Sequence, residues 1–137
     1  MAEFITPKTN WIANDFINIE DYNRILNNLW YVAINRIRPY YNVDSTYDDL
    51  LDNEVTYSDY PTADRWNLIE NKLSSLAELT DGIVVFDKKI FYPGGDYINF
   101  EELNRIENTI LELYNLHERI RRAMVTLPFT LGNYGGF

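Results

Sequence analysis

The chain has 137 residues, and its 21 Asp and Glu against 12 Lys and Arg leave a formal charge of -9 with the single histidine neutral. Such a surface repels phosphates, so nucleic acid is excluded as an expected partner, and the absence of cysteine excludes a disulfide framework, a thiolate zinc site and a cysteine nucleophile. A hydrophobic content of 46% supports one folded domain over residues 1–137, while no basic-then-apolar leader and no run near the roughly 20 apolar residues of a bilayer span appears, so no membrane is expected and synthesis in the cytoplasm is.

In chain order, the first predicted unit covers about 11–38. Asn18 is a good N-cap, and Asp21 three residues later completes a capping box. A helix then runs from 19 to about 38, where Pro39 stops it. Residues 39–61 are tyrosine-rich and acidic; a short helical turn is expected around 46–51. The second unit, about 55–80, has Thr62 as its cap and a helix from 63 to about 79, followed by Asp81-Gly82. Ile83-Val84-Val85-Phe86 and Ile90-Phe91-Tyr92 flank Asp87-Lys88-Lys89, which predicts a minor β-hairpin over about 83–92. The third unit, about 92–124, is capped by Asn99 with Glu102 three residues on, and its helix runs from 100 to about 124. The tail, 125–137, is apolar and aromatic, with Phe129, Tyr134 and Phe137, and is expected to be extended and to pair as an edge strand in this molecule or a neighbour.

The three units resemble one another. Asp15, Asn18, Glu20, Asn23, Arg24, Ile25 and Asn27 recur at an offset of 81 residues as Asp96, Asn99, Glu101, Asn104, Arg105, Ile106 and Asn108. A weaker copy, beginning at Asp59, lies between them. Tyr22, Ile25, Leu29 and Val32 match Trp66, Ile69, Leu73 and Leu76, and then Leu103, Ile106, Ile110 and Leu113. Steps of three, four and three put each set on one helical stripe. The expected fold is therefore mainly α, a small bundle of three amphipathic helices built from three related cap-and-helix repeats.

Few constellations could carry chemistry. His117 is the sole imidazole, no serine sits in a nucleophile elbow, and no phosphate-binding glycine loop is present, so neither a triad nor a cofactor site is expected. His117 itself reads as a partly exposed or capping residue. Seven carboxylates and no basic residue lie between Asp44 and Asp64. Asp48 and Asp52 fit part of a calcium loop, but Leu50 takes a ligand position and the turn glycine is missing, so no metal site is assigned. A solvated acidic loop facing Arg36, Arg38, Arg119, Arg121 or Arg122 is the expectation. Neighbouring carboxylates such as Glu101 and Glu102 diverge by about 100° on a helix and do not converge on a substrate.

The asparagines are more informative. Asn23 and Asn27, Asn67 and Asn71, and Asn104 and Asn108 recur at two helical positions beside the apolar stripe. A buried amide must have its donors and acceptors paired, so these side chains are expected to bond backbone groups of the segments that enter the helices.

Trp11, Asp15, Ile17, Asn18, Asp21, Tyr22, Asn23, Arg24 and Ile25 resemble a short segment found near the start of many tail-fibre, baseplate and neck proteins of phages and prophages of Gram-positive bacteria. The third copy is similar at Leu103-Asn104-Arg105-Ile106-Glu107 and has Tyr92 where the first has Trp11. Asn14 stands where the segment has glycine, and Leu26 where it has glutamate. The resemblance implies a virion part without enzymatic activity, a structural adaptor that attaches other virion proteins and occurs as a homo-oligomer or in multiple copies. Asp59, Trp66 and the aromatic tail join the repeated polar residues as candidate motif and interface positions. The alternative is an acidic intracellular module that blocks a basic partner protein through residues 44–64; a third is a carboxylate-dependent hydrolase of cell-wall polymers.

Overall fold

The structure is a computed structural model that describes residues 3–56, 62–95 and 98–126. It is mainly helical, with three helices that all pack on one another: α1 (Ile19–Tyr31), α2 (Ala63–Glu78) and α3 (Phe100–Thr126). Each begins where its cap was expected. Asn18 accepts from the Asp21 N–H while the Asp21 carboxylate accepts from the Asn18 N–H, so the box is complete. Asn99 accepts from the Glu102 N–H at 2.9 Å and Thr62 from the Arg65 N–H at 3.4 Å.

The twelve residues of the three stripes are all buried, and with Trp11, Leu26, Ala33, Ile37 and Leu50 they form the core. Tyr22 meets Trp66 edge-on, with ring centroids 5.1 Å apart. Removing a buried branched side chain here, as in Ile106→Ala, leaves a cavity among close-packed neighbours and costs about 2–5 kcal/mol.

Past Tyr31 the chain stays helical but widens into a π-type stretch, Val32–Ile37, where the Arg38 N–H reaches the Ala33 carbonyl, five residues back, at 2.9 Å. The wider pitch keeps Val32, Ala33 and Ile37 buried against α3, so the first helical unit reaches Arg38 as expected. The acidic connection forms two short 3₁₀ turns, Ser45–Tyr47 and Leu50–Asn53, the second packed on α1. α2 ends at Glu78, and in the turn that follows the Thr80 hydroxyl donates to the Ala77 carbonyl and accepts from the Val84 N–H. Asp81 and Gly82 follow with φ of 53° and 90° and turn the chain back.

Two expectations are corrected. The hairpin over 83–92 does not form, and no described residue is in a strand. The Asp87 carbonyl, the Lys89 N–H and both backbone groups of Phe91 are taken by side chains of α2 and α3 instead of by a second strand. His117 is neither exposed nor a cap: it is wholly buried, edge-on to Tyr41 at 5.3 Å, and neither ring nitrogen has a hydrogen-bond partner. It lies four residues after Leu113 and so continues the stripe of α3. The extended tail 127–137, with Phe129, Tyr134 and Phe137, and the positions Asp59 and Asp96 lie outside the described residues.

Candidate functional site

The repeated asparagines are where the polar side chains converge. Asn23 on α1 donates through Nδ2 to the Val55 carbonyl at 2.9 Å and accepts the Val55 N–H at 2.8 Å. Asn67 on α2 does the same to Phe91, at 2.8 and 2.7 Å, and Asn104 on α3 to Trp11, at 2.9 and 2.8 Å. A primary amide matches a backbone residue in this way because it has a donor and an acceptor side by side, as a peptide group has. Each clamped residue lies seven or eight positions before a helix cap, so α1 holds the entry to α2, α2 the entry to α3, and α3 the entry to α1.

Ion pairs reinforce two of these junctions. Arg105 forms a fork with Glu70, at 3.0 and 2.5 Å, and Glu70 also accepts the Lys89 N–H at 2.9 Å. Arg24 meets Glu107 at 2.8 Å, and Glu107 also accepts the Lys8 N–H at 3.0 Å and the Trp11 indole N–H at 2.5 Å. Both glutamates are fully buried. Burial pushes the Glu107 carboxyl above its ordinary value, opposed by the Trp11 indole, the Arg24 charge and the Lys8 N–H. At the remaining junction the aligned positions are Leu26, in the apolar core, and Leu68, partly buried against it.

The other expected positions divide. Asp15 accepts the Ile12 N–H at 3.0 Å and pairs with Lys8 at 3.2 Å, and these contacts hold its carboxyl below the usual range. Asn27 is buried and donates to the Glu3 carbonyl at 2.8 Å. Asn71 and Asn108 are exposed, and their amides bond no described residue, so the second asparagine column has no shared role. Tyr92 does not stand where Trp11 stands. One extra residue before the third cap moves Phe91 into the clamped place and leaves the Tyr92 side chain exposed.

Sequence reasoning missed Asn28, which clamps Ile5 as the repeated amides clamp their partners, at 2.7 and 2.8 Å. It also missed the roles of Glu70 and Glu107. A signal was present: the glutamates share one alignment column and Arg24 and Arg105 another, and leucine interrupts each column once, at Leu26 and Leu68.

Of the arginines expected beside the acidic loop, Arg38 reaches Asp48 and the Asp44 carbonyl, at 2.6 Å for the latter. Arg36, Arg121 and Arg122 gather instead on Glu118, whose carboxyl Arg121 and Arg36 hold down to about 2. Among the described residues no group of three His, Asp or Glu is placed to hold a metal ion, and no helix is long and apolar enough to cross a membrane. What the arrangement does chemically is join segments, by bonding Asn23, Asn67, Asn104, Glu70 and Glu107 to the backbone of the chain that enters each helix. No protein-family model, curated protein or solved structure matches the chain.

Proposed function

We propose that the chain is a structural adaptor of a phage or phage-like particle, a non-enzymatic part made in the host cytoplasm that attaches to other virion proteins and occurs in several copies in the particle. The observation that carries this reading is the division of labour among side chains. Buried polar groups fasten one segment to another, whereas Phe16, Ile83, Val85, Ile90 and Tyr92 stand exposed, Phe16 at 91% of its surface. Large apolar side chains in water are typical of surfaces that are covered in an assembly. The likeness of residues 11–25 to the phage tail segment supplies the kind of assembly.

In the same reading the three cap-and-helix units are copies of one unit, closed into a ring by the cyclic order of the amide clamps. Mass spectrometry and immuno-electron microscopy of purified particles from a producing host test the assignment. Stoichiometric occupancy at a fixed place in the particle is the expected result, and its absence from purified particles overturns it.

The acidic decoy keeps one observation in its favour, since Asp44, Asp48, Asp49, Asp52 and Glu54 are all exposed. A basic host protein captured by the chain, and released as salt rises from about 50 to 200 mM, would favour that alternative.

A further inference from the structure

We infer that the outer edge of residues 86–90 is a docking site for a strand, and that its occupant is the segment 127–137 of a second copy of this chain. The proposal does not depend on the virion reading.

Among the described residues the backbone of this stretch has partners on one side only. The Asp87 carbonyl accepts from Arg105 at 3.1 Å, the Lys89 N–H donates to Glu70, and Phe91 gives its N–H and its carbonyl to Asn67. Residues 87, 89 and 91 therefore face inward, where side chains of α2 and α3 stand in for a neighbouring strand. In an extended chain successive residues turn their N–H and C=O groups to opposite edges. Phe86, Lys88 and Ile90 accordingly face outward, and their backbone groups bond no described residue. Ile83, Val85, Ile90 and Tyr92 flank this edge with 57–71% of their surface exposed. Free backbone groups beside exposed apolar side chains are what an added strand recognises.

The composition of the chain favours its own tail as that strand. Residues 123–137 are its longest run without a charged residue, in a protein with a net charge of -9. Leu127, Phe129 and Leu131 alternate in the sequence as a strand laid on an apolar edge would, and Pro128, which has no N–H to give, falls between them.

Reach then decides which copy is paired. Arg105 holds Asp87 beside the second turn of α3, so Thr126 lies about 30 Å further along the helix at about 1.5 Å per residue. Leu131, the last of those alternating residues, is five residues after Thr126 and at most about 18 Å from it. That stretch falls short of the edge of its own molecule. A neighbouring copy has no such constraint.

Because the natural chain has no cysteine, crosslinking can test the contact directly. Full-length Val85→Cys and Phe129→Cys proteins, distinguishable by isotopic mass, are mixed and treated with a short bis-maleimide. We expect heterodimer at least ten times above that from the control pair Asp49→Cys with Phe129→Cys. Equal yields overturn the proposal, as does a predominantly intramolecular crosslink in the Val85→Cys/Phe129→Cys double variant at high dilution.

Sedimentation of the cysteine-free protein provides the second measurement. Self-association is expected and should weaken at least tenfold in Ile90→Pro, which removes an outward N–H. Ile90→Lys, which keeps that N–H but charges the edge, serves if the proline variant loses its helical circular dichroism. An unchanged association constant in the folded variant, or a wild-type chain that stays monomeric at 200 μM, overturns the docking.

Discussion

Asn104→Ala removes both bonds between α3 and residue 11. It leaves the Trp11 N–H and carbonyl without partners in a region where the Trp11 side chain is 3% exposed. Each hydrogen bond contributes about 1 kcal/mol net, and a buried group stripped of its partner loses about 1–3 kcal/mol. Partial access of water to the half-buried amide site moderates the second figure, so the expected loss is about 2 kcal/mol. In a chain of this size that lowers the unfolding midpoint by about 6–8 °C. Urea unfolding followed by circular dichroism measures the difference, with the slope against denaturant checked for constancy. Tryptophan fluorescence adds a local reading, because Trp11 gains water if the clamp alone opens. Asn108→Ala is the control: four residues on, exposed and with no side-chain bond to a described residue, it should change stability by less than about 0.5 kcal/mol. If Asn104→Ala loses no more than Asn108→Ala, the clamp is an ornament of the packing and the reasoning fails.

Three further outcomes follow from the same geometry. Glu70→Leu alone takes from Arg105 its buried carboxylate, leaving it Glu102 and the Asp87 carbonyl, and takes from the Lys89 N–H its acceptor; it should destabilise by about 2–3 kcal/mol, whereas Glu70→Leu with Arg105→Leu, copying Leu26 and Leu68, should recover part of that loss, and a double-mutant cycle in urea reads the coupling. Burial holds the His117 imidazole below its ordinary value, so the unfolded chain takes up its proton first. Stability should be full above about pH 6.5 and decline as pH falls below it, and His117→Phe should flatten that decline in thermal unfolding between pH 7 and 5. Glu118 is held down to about 2 by Arg121 and Arg36, so its contribution is present above its unfolded value and lost as pH falls from about 4.5 toward 2; Glu118→Gln should remove that part of the acid transition and leave the slope near pH 6 untouched.

The helices were legible because cap and stripe signals agreed: Asn18, Thr62 and Asn99 start them, and every stripe residue is buried. The clamping role of Asn23, Asn67 and Asn104 was legible too, since an amide beside a stripe needs partners and the segments entering the helices lie within reach. Asn71 and Asn108 show the limit of that reading. A column can recur through shared ancestry or composition while its side chains face water, and local spacing does not separate the two cases. The hairpin failed for a related reason. β-branched and aromatic runs report extended backbone, but whether the partner is a strand or a row of side chains is set by tertiary contacts, here Asn67, Glu70 and Arg105. Glu70 and Glu107 were hard to see because charged residues are seldom fully buried, and their arginines come from other helices.

Three helices with one apolar stripe each are held together by burial, but apolar contact tolerates sliding and rotation. The amide clamps do not. Each engages the N–H and the carbonyl of a single residue, and a shift of one residue turns those groups to the opposite edge of the chain. Asn104 therefore accepts Trp11 in one register, and the Trp11 indole in that register falls on Glu107, which Arg24 of α1 also binds. One residue of the entering segment is thus fixed by α3 and α1 together. At the third junction leucines stand where the other two have ion pairs, while all three junctions carry the amide clamp. Register, more than net binding energy, is what the polar network supplies, and a fixed register is what a part needs if its exposed faces are to meet partners at set positions.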